Sequence, residues 1–307
     1  MNTGDDSGSD LPKAAPLVWA PRAELAALRG RAEALASVRS FFAERDVLEV
    51  STPVLGRYTV TDPQVEAIEV PGYGFLQTSP EAGLKRLLAA GIPSLYQLGP
   101  AFRADERGRL HSPEFTLLEW YRLGFDSAAL RDEVAALVDR LLGPAPYAVM
   151  PVDELLDRGR SALRSQQLSP AAAADEDLVL LTGIESLTEA RVFVVDFPAE
   201  QAAMARLKAD DPRYADRFEL IINGVEIANG YAEAVNADEL RQRFAEDRRA
   251  RAALGRPDRE PDPYLLAAMD AGLPDCAGVA LGVDRLLMLA LDLQRIDGIQ
   301  ALSLDPR

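Results

Sequence analysis

Residues 218–233, FELIINGVEIANGYAE, constrain this chain more than any other segment. Asn223-Gly224 between apolar residues signals a two-residue β-hairpin turn, which needs positive φ at both central positions. With the turn there, Ile222 pairs with Val225 and Ile221 with Glu226. Glu219 then shares a face with Glu226, one diagonal step away, roughly 7–8 Å between Cα positions. Two carboxylates on one face of an apolar hairpin repel unless a cation lies between them or water screens them. Mg²⁺ takes oxygen ligands, commonly one or two carboxylates plus phosphate oxygens, so Glu219 and Glu226 are candidate ligands of a Mg²⁺–ATP site. Simple alternation sends Asn229, Tyr231 and Glu233 to the opposite face. If they share a pocket with Glu226, the strand must bulge near Gly230.

Other segments ask for the same ligand. In the last strand, Gly278, Ala280 and Gly282 share one face, and Val279, Leu281 and Val283 the other. The first face is almost bare, which lets a flat ligand approach the backbone. Arg285 follows in an apolar helix, where an arginine is costly unless it is paired or faces an anion. The sequence predicts strands over 95–103 and 114–123, joined by a charged loop. On the second strand Phe115, Leu117, Glu119 and Tyr121 share a face, a set able to stack a base and hold an ammonium group. Arg103, ending the first strand, offers a fork for phosphate or carboxylate. Each feature alone has a plain structural explanation: a half-buried strand, a solvated arginine, a buried ion pair. Their agreement on Mg²⁺–ATP is what carries weight. The single histidine, His111, excludes a His-based metal cluster and reads as a loop residue near phosphates or solvent.

The rest of the chain frames this site. Residues 1–20 read as a disordered leader and 21–307 as one catalytic domain. A helix from residue 22 carries a stripe of Leu25, Leu28, Ala32, Leu35, Val38 and Phe42. A short strand follows and ends at Thr52-Pro53. Ser79 is a candidate cap with Pro80 in the first turn of the next helix. Ser127 is the candidate cap of a helix over 127–142. Residues 143–190 are Pro- and Ala-rich and show no chemistry. Mostly antiparallel strands with helices outside argue for an α+β fold. The net charge of −16 disfavours non-specific nucleic-acid binding. Arg248, Arg249, Arg251, Arg256 and Arg259 form the best local basic patch, although a solvated helix face explains them more simply. No run is apolar and long enough to cross a membrane, no signal peptide is visible, and Cys276 is alone, so a cytoplasmic setting is expected.

The helix and strand ending at Pro53, residues 102–121 (FRADERGRLHSPEFTLLEWY) and residues 278–285 (GVALGVDR) resemble motifs 1, 2 and 3 of class II aminoacyl-tRNA synthetases. After residue 22 the chain is most similar to the elongation factor P–lysine ligase family, paralogues of lysyl-tRNA synthetase. The resemblance implies an antiparallel class II sheet flanked by helices and a homodimer formed near Pro53. It implies that Arg103 holds the α-phosphate and the substrate carboxylate, and that Arg285 holds the γ-phosphate side and stacks on the base. Asp105, Ser112, Phe115, Ile227 and Gly282 would lie at the nucleotide, and Glu219 and Glu226 would carry Mg²⁺. Ser79, Pro80 and Glu81 would meet the substrate amino group. Glu119, Tyr121 and Glu233, with Asn229 and Tyr231, would surround the distal ammonium.

The chain departs from the family in Ala104-Asp105, where Asn-Glu is usual, and in Ser112, where Asn is usual. Ala280 stands where the tRNA synthetases have Gly, which in the ligase family goes with (R)-β-lysine over α-lysine. The short segment before the core leaves no room for an anticodon-binding domain, so tRNA is not the expected acceptor and elongation factor P is. Two alternatives stay open: a truncated enzyme that charges tRNA, and an inactive paralogue that senses amino acids or scaffolds a partner.

Overall fold

The structure, a computed structural model, describes residues 20–165 and 175–302. The expected leader thus lies, but for Ala20, outside the described residues. In chain order the elements are α1 (Leu25–Ala43), β1 (Leu48–Glu49), β2 (Leu55–Gly56), β3 (Glu69–Val70), β4 (Gly74–Leu76), α2 (Glu81–Ala89), β5 (Leu95–Phe102) and β6 (Glu114–Leu123). Then come α3 (Ser127–Leu142), β7 (Ala148–Pro151), α4 (Val152–Ser165), α5 (Glu176–Glu185), β8 (Arg191–Pro198), β9 (Tyr214–Ile222) and β10 (Val225–Ala232). Last are α6 (Ala237–Ala253), α7 (Pro263–Gly272), β11 (Cys276–Gly282) and α8 (Val283–Ala290).

An eight-stranded sheet runs in the order β1-β5-β6-β11-β10-β9-β8-β7. Its centre is antiparallel, as expected, but both edges are not: β1 runs parallel to β5 and β7 parallel to β8. A small separate sheet has the order β2-β4-β3. The α+β class holds.

Alternation along the strands sorts the residues into two layers. Leu118, Trp120, Phe218, Leu220, Val279 and Leu281 join Val38, Phe42, Val134 and Leu137 from α1 and α3 in the main core. On the opposite face a second core packs Leu84 and Leu88 of α2 with Tyr121, Leu240, Phe244, Leu265 and Met269. Farther along that face Leu155 of α4 meets Val192, Val194 and Ile221. The opposite face is therefore covered at both ends, and a cavity lies between the covers.

Local chemistry differs from expectation at several points. The α1 stripe is partly wrong: Val38 and Phe42 are buried as expected, but Leu25 and Ala32 are exposed, and Ala27 and Phe41 are buried as well. Helix α3 is capped by Asp126, whose carboxylate accepts from the Ala129 N–H, while Ser127 bonds Asp216. Asp is as good a cap as Ser and stood one residue earlier. Pro80 is the N-cap of α2 rather than its first helical residue. The Asn223-Gly224 turn is as expected, with φ of 49° and 75°.

The bulge in β10 lies at Ile227, between Glu226 and Ala228, and not near Gly230. Gly230 is small for another reason: a Cβ there would lie 2.6 Å from Phe218 Cζ and 2.7 Å from Val279 Cβ. Because of the bulge, Ile227 and Ala228 both join the main core. Beyond it, Asn229 pairs with Glu219 and Tyr231 with Arg217, whereas Glu226 pairs with Ile221. One extra residue thus returns Glu226, Asn229 and Tyr231 to a single face.

The arginines of α6 and its following loop are not a free basic patch. Arg251 is 0% exposed; it donates to the Asp62 and Val65 carbonyls and meets Glu66 at 2.6 Å. Arg259 meets Glu66 at 2.7 Å and Arg248 pairs with Asp258. Among the described residues no helix is long and apolar enough to cross a membrane.

Candidate active site

The cavity measures about 610 Å³ and lies on the face carrying the bare strand. Beneath it runs a row of side chains in register across the sheet, of which Glu119, Ala280 and Asn229 line it. Gln97 stands opposite Glu119, Glu119 opposite Ala280, Ala280 opposite Asn229, and Asn229 opposite Glu219. One step along, Tyr121 stands opposite Gly278 and Gly278 opposite Tyr231. A Cβ on Gly278 would lie 2.3 Å from Tyr121 Cε1, so bulk is excluded there by packing. Gly282 differs: its nearest neighbour would be 3.8 Å away, and its face is open.

One end of the cavity is acidic and phenolic. Glu119 is buried and accepts from Ser79 Oγ at 2.5 Å and from the Tyr121 hydroxyl at 2.8 Å. Ser79 Oγ also accepts from the Glu81 N–H at 3.0 Å, which ties the start of α2 to β6. The Tyr231 hydroxyl donates to Glu81. Glu233 is 0% exposed and meets Lys85 at 2.6 Å; Lys85 also meets Glu81 at 2.7 Å. Burial first, and the charge of Glu81 next, push the Glu119 carboxyl up to about 7. Burial likewise pushes Glu233 up to about 8, against the opposing pull of Lys85. Burial opposes the charge of Glu81, but Lys85 wins and holds its carboxyl below the ordinary value. Acidic groups this crowded in a dry site favour a bound cation.

The other end is cationic. Arg103 lies over the Phe115 ring at 5.2 Å and 3.5 Å from Glu106, and its buried Nε has no hydrogen-bond partner. Arg285 donates to the carbonyls of Leu110 and Glu226 and lies 3.7 Å from the Glu226 carboxylate. His111 meets Glu106 at 3.1 Å, and burial pulls its pKa down. Ser112, Ile227 and Gly282 line this end too.

The structure therefore brings together Ser79, Pro80, Glu81, Arg103, Ser112, Phe115, Glu119, Tyr121, Glu226, Ile227, Asn229, Tyr231, Glu233, Ala280, Gly282 and Arg285 around one cavity. It does not bring in Asp105, whose side chain is 71% exposed and 3.6 Å from Arg256. Asp105 follows the end of β5 and turns out into the charged loop. Glu219 lies behind the lining rather than in it, 2.5 Å from Arg217.

Glu219 and Glu226 still fit a divalent cation. Burial, then the charge of Glu226, push Glu219 up to about 7 in spite of Arg217. Such repulsion is what a cation between them removes. Among the described residues no group of three or more His, Cys, Asp or Glu could hold a metal ion alone. The pair thus suits an ion that draws its other ligands from phosphate and water, as Mg²⁺ does.

Sequence reasoning missed Lys85, although Glu81 and Lys85 stand at the i,i+4 spacing that brings helix side chains together. It also missed Asp284, which accepts from the Thr116 N–H at 3.0 Å and pairs with Arg31 of α1. That pairing joins α1 to the site across a separation of 253 residues, and no local pattern announces it.

A family described as tRNA synthetases class II (D, K and N) matches residues 19–305. An elongation factor P–(R)-β-lysine ligase of Vibrio cholerae is 44% identical, over 92% of this chain and 97% of the relative. Its namesake in Photorhabdus laumondii is 42% identical over 93% and 97%, and that in Edwardsiella ictaluri 41% identical over 94% and 98%. This cavity thus occurs in an ATP-dependent ligase, and the chain belongs to the class II tRNA synthetase (D, K and N) family, in its elongation factor P–(R)-β-lysine ligase branch.

Proposed function

We propose that residues 21–307 act as one catalytic domain that activates (R)-β-lysine, or lysine, with ATP and passes it to a lysine side chain of elongation factor P. The observation that carries this reading is one cavity with buried Glu119 and Glu233 at one end and Arg103 and Arg285 at the other. A substrate with two ammonium groups and one carboxylate spans those ends, with its ammonium groups at the carboxylates and its carboxylate at Arg103. Ala280, between Glu119 and Asn229, narrows the floor and favours the β-amino isomer.

The reaction has two steps. The substrate carboxylate attacks the α-phosphorus of ATP, a C–O–P mixed anhydride forms, and pyrophosphate leaves. The acceptor ε-amine then attacks the carbonyl carbon, loses a proton, and AMP departs with the anhydride oxygen. Arg103 orients the substrate carboxylate against the α-phosphate and offers its unpartnered Nε to the developing charge. Phe115 and Arg285 hold the base and the outer phosphates, with Ser112 and the bare Gly282 beside them. Glu219 and Glu226 would hold Mg²⁺, which when bound neutralises phosphate charge. Ser79, Pro80 and Glu81 fix one ammonium; Glu119, Tyr121 and Glu233, with Asn229 and Tyr231, fix the other. Catalysis on this reading is positioning and electrostatics.

Exposed Leu48 and Leu55 beside Pro53 leave an apolar edge that suits a homodimer. The unpaired Cys276 suits a cytoplasmic setting.

The test is ATP–pyrophosphate exchange with (R)-β-lysine and α-lysine, followed by mass spectrometry of elongation factor P and of tRNA. Exchange and a mass gain on one lysine of the factor are expected. Charging of tRNA would replace this reading with tRNA aminoacylation, and absence of exchange would overturn activation itself.

A further inference from the structure

Behind the acidic end of the cavity sits a cation that the proposed chemistry does not use. The Lys85 side chain is 1% exposed and does not line the cavity. Its ammonium meets Glu81 at 2.7 Å and Glu233 at 2.6 Å, lies 3.6 Å from Met204 Sδ, and sits 5.4 Å from the Tyr231 ring centre. Glu81 and Glu233 reach it from α2 and from just past the end of β10, so Lys85 pins the two walls of the acidic end to each other.

We propose that Lys85 is a positioning residue: it holds the Glu81 and Glu233 carboxyl groups aimed at this end of the cavity, and so makes this end selective for an amino acid carrying two amino groups. The proposal rests on the activation reading above and refines it.

The charge balance supports it. Once bound cations have ionised them, Glu81, Glu119 and Glu233 with Lys85 carry a surplus of negative charge that two ammonium groups neutralise and one does not. Without Lys85, Glu81 and Glu233 would face each other and Glu119 with no fixed cation, and their protons would be held to higher pH. A protonated carboxyl no longer attracts an ammonium. The other groups facing this cluster are Tyr121 and Tyr231, with Cys276 beneath Glu233 and Arg206 and Asp275 beyond it. Burial raises both phenols and pushes Cys276 up to about 12, so none of these three supplies a negative charge near neutrality. Arg206 meets Asp275 and donates to the Glu233 carbonyl, which leaves Lys85 as the cation at the Glu81 and Glu233 carboxylates among the described residues.

The experiment is pyrophosphate exchange with wild type, K85M and K85R across pH, with the unfolding midpoint of each recorded. K85M should raise the KM for the diamino acid by about tenfold or more, the factor equivalent to moving one carboxyl by one pH unit. The KM for ATP should stay within about twofold. The acidic limb of kcat/KM should move to higher pH by about one unit or more, the range one neighbouring charge controls. K85R should restore part of both. Selectivity for lysine over norleucine, which lacks the second amino group, should fall in K85M.

A K85M enzyme with unchanged KM, pH limb and selectivity, however unstable, overturns the proposal while leaving the activation reading intact. Wild type without exchange overturns the activation reading instead. If K85M does not fold, K85M/E233Q is compared with E233Q, since the double variant leaves neither partner of that pair buried and charged. A higher diamino-acid KM in the double variant than in E233Q supports the proposal through Glu81. Equal values overturn it.

Discussion

Gly278 lies flat against Tyr121: a methyl on its Cα would stand 2.3 Å from Tyr121 Cε1 and 2.7 Å from Glu233 Oε1. Tyr121 in turn donates to Glu119, so the missing side chain of one strand sets the carboxylate of the next. G278A should therefore displace Tyr121 and raise the amino-acid KM about 10–100-fold, as misplacement in a preorganised site does. The overpacking should cost about 1–3 kcal/mol of stability. Exchange kinetics and urea unfolding check both effects.

Arg217 stands one shell behind the carboxylate pair, 2.5 Å from Glu219 and 3.2 Å from Asn229 Oδ1. R217M should leave the amino-acid KM less affected than the metal requirement. The Mg²⁺ concentration for half-maximal exchange should rise about 10–100-fold, the usual effect of losing an outer-shell partner. A Mg²⁺ titration of the exchange rate measures this directly.

The buried carboxyl groups of the site give the ligand-free protein an unusual pH dependence. Burial pushes Glu119 and Glu219 up to about 7 and Glu233 up to about 8, all above the ordinary 4.5. Between those values the folded chain holds protons that the unfolded chain has lost. The contribution of these groups to stability therefore falls as pH rises from about 4.5 to about 8. The unfolding midpoint should drop across that window, and (R)-β-lysine should flatten the drop by supplying the cation. Its binding should also release protons, visible by calorimetry in buffers of different ionisation enthalpy. A midpoint that climbs through the window would contradict this assignment.

Arg251 is the buried hub of the loop beside the cavity, bonded to the carbonyls of Asp62, Val65 and Pro257 and paired with Glu66. R251M should cost about 3–5 kcal/mol, because it leaves those acceptors and part of the Glu66 charge buried without their partner. Thermal unfolding should shift down by about 5–10 °C. R249A, at an exposed position on the same helix, should change little.

Much of the floor of the site was legible because strands report their faces by alternation. Phe115, Leu117, Glu119 and Tyr121, and likewise Gly278, Ala280 and Gly282, share a face as their spacing says. The hairpin register near its turn was legible from Asn223-Gly224 alone. The caps of α2 and α3 were missed by one residue each, and the larger failures depend on contacts distant in sequence. Ile227 takes the bulge because Ile227 and Ala228 both fit the core under α3, whereas Gly230 is held in ordinary pairing against Phe218 and Val279. Parallel pairing at the sheet edges, the burial of Arg251 and the outward turn of Asp105 are set by partners far along the chain. Lys85 is the instructive miss, since its spacing from Glu81 was visible but its second partner, Glu233, was not.

The single extra residue at Ile227 makes the chain sensitive to parity. Were the bulge pulled straight with Ile227 kept in ordinary pairing, the turn would stay in place but every side chain downstream would invert. Asn229 and Tyr231 would then point into the layer of Phe218, Trp120 and Val134, while small alanines faced the cavity. Deleting Ile227 itself would instead remove the bulge and keep Glu226, Asn229 and Tyr231 on one face, so a stretch a few residues long fixes the phase in which nucleotide and amino acid are read together.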